Sequence, residues 1–79
     1  MMSDMEYDTT IKSYLMQAQR IMSKTEDMSA EWFLDWIYNT KELIRFEQKA
    51  KGRTDAEVDD ILFGIMVLYS KVRTDGWGW

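Results

Sequence analysis

Proline is absent, and the four glycines, Gly52, Gly64, Gly76 and Gly78, all fall in the second part of the chain, so long stretches run without a helix breaker. A chain punctuated so sparsely favours long helices and has little of the turn chemistry that hairpins require. It contains no internal repeat, low-complexity segment or linker long enough to separate domains. The expectation is one all-α domain over residues 1–79: a three-helix bundle, or an extended helical hairpin with a third helix.

Apolar residues place the helices at about 8–24, 29–51 and 54–74. In the first, Ile11, Tyr14, Leu15, Ala18, Ile21 and Met22 recur at the three-four spacing of one helical face. Asp8 is its expected N-cap, which makes residues 1–7 a loose N-terminal arm. The second helix is expected to start at Ser29, with Met28 and Phe33 at the positions of a hydrophobic staple, and to stop at Gly52. Its stripe is Phe33, Trp36, Ile37, Thr40, Leu43 and Ile44, and a second line, Trp32, Trp36, Leu43, Phe46 and Ala50, widens that face. Thr54 followed by Glu57 is a capping box, the clearest start signal in the chain.

The third helix is apolar nearly all round. Val58, Ile61, Leu62, Ile65, Leu68, Tyr69 and Val72 make one face, while Phe63, Met66 and Val67 lie on others. Three helices can cover one face of each, so this surplus predicts self-association, as a dimer, or the docking of a partner protein. Gly64, in the middle of this helix, costs about 1 kcal/mol relative to alanine and points to a close helix approach, within the monomer or between subunits. Four tryptophans in 79 residues is high, and two of them, Trp77 and Trp79, stand in a short aromatic tail at 75–79. The tail reads as a lid over the end of the bundle or, with Phe63, Met66 and Val67, as part of a partner-binding surface.

Size makes that need for a second layer more pressing. At 79 residues a domain buries only roughly 60% of the surface its unfolded chain exposes, and neither cysteine nor histidine is present to add a disulfide or a soft metal site. The same two absences remove the familiar nucleophile and base pairs, so a hydrolase triad is close to excluded. The glycines are too sparse for a Walker or dinucleotide loop. The longest apolar run, Ile61 to Tyr69, is well short of the roughly 20 residues of a membrane span, and Asp4, Glu6 and Asp8 stand where a signal peptide is basic, so a cytoplasmic location is expected. A net charge of −4 argues against duplex nucleic acid as a direct ligand.

Charge is patterned along the second helix. Asp27, Glu31 and Asp35 form an acidic column near its start, and Lys41, Arg45 and Lys49, continued by Arg53, form a basic one near its end. The plainer reading is complementarity to the helix dipole. The functional one is an anion-binding ridge, Lys41, Arg45, Lys49 and Arg53, on which an oligomer could hold a nucleotide or another small anion with nearby tyrosines.

Two resemblances bear on function. The cluster Asp55, Glu57, Asp59 and Asp60, taken with Glu42 and Glu47, resembles the all-α nucleotide pyrophosphohydrolases, whose adjacent helices hold Mg²⁺ against a nucleotide's phosphates. That likeness implies Glu57 and Asp60 as metal ligands. Glu42 and Glu47 depart from the pattern, since five residues apart they point to different sides of a helix. The overall make-up, small, acidic, helical and free of histidine and cysteine, is similar to that of inhibitors and adaptors encoded by phage, including anti-restriction and anti-CRISPR proteins. This second resemblance, one of composition, implies a protein that blocks a nucleic-acid-binding or host-defence protein. Together the readings favour a non-enzymatic interaction module without a cofactor, with anion sequestration and Mg²⁺-dependent pyrophosphohydrolysis as alternatives.

Overall fold

The computed structural model describes residues 2–26 and 29–76. Three α-helices account for them: α1 (Asp4–Thr25), α2 (Ala30–Ala50) and α3 (Asp55–Asp75), with no strand among the described residues. The all-α three-helix reading holds. The expected ends of α2 and α3 lie within a residue of the observed ones, a margin within ordinary fraying.

Local chemistry explains both ends of α2 and the start of α3. Ser29 Oγ accepts the Trp32 N–H at 3.1 Å, capping α2. At its other end Arg53 N–H donates to the Gln48 carbonyl and Gly52 N–H to that of Lys49, a Schellman closure with Gly52 in the left-handed region at φ 88°. Thr54 Oγ1 accepts the Glu57 N–H at 3.2 Å while Glu57 Oε1 accepts the Thr54 N–H at 2.9 Å, completing the capping box of α3.

The start of α1 corrects the sequence reading. The helix begins four residues before Asp8, capped by Ser3, whose Oγ accepts the Glu6 N–H at 3.2 Å. Residues 2–7 are therefore no loose arm. Met2 is buried in the core, its backbone N–H donates to Glu57 Oε2 at 2.9 Å, and Tyr7 packs against the cluster. Ser3 with Glu6 three residues on is itself a start signal, and the burial of Met2 and Tyr7 makes the earlier start the stable one. Met28 of the expected staple, Asp27, and the tail residues Trp77 and Trp79 lie outside the described residues.

α3 is the middle element: α1 and α2 both pack along it, and they meet each other only sparingly. The body measures 36 × 24 × 16 Å, its long dimension close to the roughly 32 Å length of the helices. Leu15, Ala18 and Met22 of α1, Phe33 and Ile44 of α2, and Val58, Ile61 and Ile65 of α3 are fully enclosed. The Phe33 ring stacks on Tyr69 at 3.8 Å between centroids and tilts against Trp36 at 5.8 Å, joining α2 to α3.

Gly64 marks where α1 comes closest. A methyl group on its Cα would overlap Ile11 Cδ1, so the close approach that the glycine foretold is made by α1 of the same chain.

Candidate functional site

One polar contact is buried where α1 and α2 meet. Gln48 Nε2 donates to the Tyr14 hydroxyl at 2.9 Å, and Gln48 Oε1 has no partner. Burial pushes the Tyr14 hydroxyl above its ordinary pKa, with Glu47 adding to the rise and the Gln48 hydrogen bond opposing it. An open cleft of about 250 Å³, lined in part by Thr9, Ser13, Glu47 and Lys51, lies beside this pair.

The basic column of α2 meets acids at most of its steps. Arg45 Nε lies 3.9 Å from Glu42 and its Nη1 3.8 Å from Asp59 of α3. Lys49 Nζ is 2.8 Å from Asp55, and Arg53 Nη2 is 3.3 Å from Glu6 of α1. Lys41 Nζ instead sits 4.5 Å above the Tyr38 ring. An incoming anion would have to compete with Glu6, Glu42, Asp55 and Asp59 for the last three of the four residues Lys41, Arg45, Lys49 and Arg53.

The carboxylates that suggested a metal site do not converge. Glu57 is engaged by the Thr54 and Met2 backbone N–H groups, which hold its carboxyl below the usual range, and Asp55 is held low by its hydrogen bond and charge contact with Lys49. Glu42 faces Arg45. Among the described residues no three Asp or Glu side chains are grouped as a metal would need. No described helix is long and apolar enough to cross a membrane.

What remains is apolar and outward. Phe63 is 69% exposed, Met66 45% and Val67 51%, as the wrap-around apolarity of α3 led one to expect. The ion pairs set the register of α2 against α3. Arg45 with Asp59 and Lys49 with Asp55 are steps of four in opposite directions on antiparallel helices. Continued along the pair, that register brings Phe63 level with Lys41 and Met66 level with Tyr38. Tyr38 is 69% exposed and Leu34, one turn before it, 53%. Sequence reasoning passed over both, although their spacing of four, off the stripe of Phe33, Ile37 and Ile44, was the available signal. On the opposite flank of α2, Leu43 and Phe46 are also exposed.

Comparison with known proteins adds no relative: no family model matches the chain, and no curated protein or solved structure does either. The reading of function therefore rests on these surfaces.

Proposed function

We propose that this chain is a non-enzymatic protein-interaction module, an acidic helical adaptor or inhibitor that acts by occupying the surface of another protein. A single observation carries the reading: Phe63, Met66 and Val67 of α3 and Leu34 and Tyr38 of α2 are all exposed, and we read them as one apolar strip, on a domain small enough to need every apolar contact for its own core. Aromatic and methionine side chains of this kind anchor interfaces. The separate Leu43 and Phe46 ridge supplies a second contact surface on the other flank of α2. The acidic balance of −4 suits a target with a basic, nucleic-acid-binding surface, such as the host-defence proteins blocked by phage inhibitors. Capture of a nucleotide on the basic column is the weaker reading, because the acids already beside Arg45, Lys49 and Arg53 must first be displaced.

The test uses the protein's own methionines. Met66 lies on the strip, Met16 is comparably exposed on α1, and Met22 is enclosed. Oxidation by dilute peroxide, followed by mass spectrometry, should slow at Met66 relative to Met16 as protein concentration rises or as host extract is added. A Met66 to Met16 ratio unchanged under both conditions sinks the reading.

A further inference from the structure

Four of the charges of α2, with Tyr38 between them, form a pattern that reads the same from either end once sign is exchanged. Glu31, Asp35, Tyr38, Lys41 and Arg45 are separated by four, three, three and four residues, spacings that keep them on one broad face of the helix. Tyr38 is the midpoint, with acids on one side and bases at mirrored distances on the other. Two such helices laid antiparallel about a two-fold axis at Tyr38 set Glu31 against Arg45 and Asp35 against Lys41 of the other copy, each pairing made twice. A parallel arrangement in the same register opposes like charges at every one of these positions. The face is available: Glu31, Asp35 and Tyr38 are exposed, and Arg45 is held to Glu42 and Asp59 only by long contacts of 3.9 and 3.8 Å. The apolar strip lies beside it, Leu34 on α2 itself and Met66 and Phe63 level with Tyr38 and Lys41 on α3.

We infer that the occupant of this strip is a second copy of the chain, docked antiparallel with Tyr38 on the two-fold axis. The inference rests on the docking role proposed above and names its partner. A self-complementary patch is what a two-fold interface requires, since each surface must satisfy itself reversed. Apolar contact by Leu34, Tyr38, Met66 and Phe63 supplies the affinity, and the reciprocal charges choose the antiparallel orientation. The Leu43 and Phe46 ridge remains for an outside partner.

Asp35 and Lys41 make the cleaner test, because neither takes part in the ion pairs between α2 and α3. Sedimentation or mass photometry over a concentration series should show dimers of the natural chain. Asp35→Lys and Lys41→Asp each place two repulsions in the dimer and should weaken it by roughly tenfold to thirtyfold. An equimolar mixture of the two variants should recover association as a heterodimer, because its cross-pairs are again opposite in sign. Circular dichroism confirms that each variant is folded. As the chain has no cysteine of its own, Tyr38→Cys should form a disulfide dimer under mild oxidation, and Glu47→Cys, away from the axis, should not. A natural chain that stays monomeric, a mixture that associates no better than its components, or a Tyr38→Cys dimer no more abundant than that of Glu47→Cys overturns the proposal. If Met66 is still shielded in host extract in such a case, docking stands with a different partner. If Met66 is not shielded, both readings fall.

Discussion

The two sides of α3 are alike in chemistry and opposite in fate. Ile61 and Ile65 are completely enclosed, whereas Phe63, Met66 and Val67, interleaved with them, keep about half or more of their surface in contact with water. Composition does not separate the two sets. Their difference comes from the number of neighbours: α1 and α2 flank one side of the helix, and among the described residues no third element covers the other. The inner side thus carries the folding free energy and the outer side is free to carry association.

The largest test of that division is truncation on each side. Ile65→Ala should cost about 2–5 kcal/mol, because a cavity is left among atoms that cannot close over it. Val67→Ala, measured in the same urea titration at dilutions that keep the chain monomeric, should change stability by no more than about 0.5 kcal/mol. Equal losses at the two positions would mean that the outer side is packed in the monomer.

The inner side is not wholly apolar, and its polar contact gives the next effect. Tyr14→Phe strands the buried Gln48 amide and should cost about 1–3 kcal/mol. Adding Gln48→Met removes the stranded group together with the already partnerless Oε1, so the double variant should recover most of the loss. A double variant as unstable as the sum of its parts would show that the hydrogen bond contributes nothing of its own.

How much of this was legible beforehand follows from where each signal resides. The capping box at Thr54 and Glu57, the stop at Gly52 and the face of Ile61 and Ile65 are local or periodic, and all could be read from residue order. The start of α1 was misplaced because Asp8 and Ser3 are both competent caps. The choice between them depends on the burial of Met2 and on its bond to Glu57, 55 positions away. Spacing suggested Lys41, Arg45, Lys49 and Arg53 as one ridge, but the acidic partners of the last three come from α1, α2 and α3, which no single helical wheel displays. The Leu34 and Tyr38 part of the strip was missed for a similar reason: it joins Met66 only through the register between two helices.

Gly64 tests how tightly the inner side is closed. Alanine there gains about 1 kcal/mol of helix propensity but drives its methyl into Ile11, and overpacking costs about 1–3 kcal/mol, so a net loss near 1 kcal/mol is expected. The atom met first is the Cδ1 of Ile11, which valine lacks. Gly64→Ala together with Ile11→Val should therefore be more stable than Gly64→Ala alone. A Gly64→Ala chain more stable than the natural one would mean that Ile11 turns its Cδ1 aside at little cost.

The smallest effect lies at the rim of the inner side, where Glu57 holds both the α3 cap and the Met2 N–H. Those two backbone hydrogen bonds favour its charged form, so its pKa is lower folded than unfolded. Above the ordinary carboxylate range both states are ionised and the stabilisation is fully present. As pH falls below about 4.5 the unfolded chain takes up the proton first, and the contribution is lost through the lowered folded value. Asp55, lowered by Lys49, acts in the same sense. Glu57→Gln keeps an oxygen acceptor for the cap and removes the titrating charge, so its melting temperature should fall less steeply between about pH 5 and pH 3 than that of the natural chain. An unchanged slope would mean that Glu57 does not clasp the start of the chain's first helix through the Met2 N–H in solution.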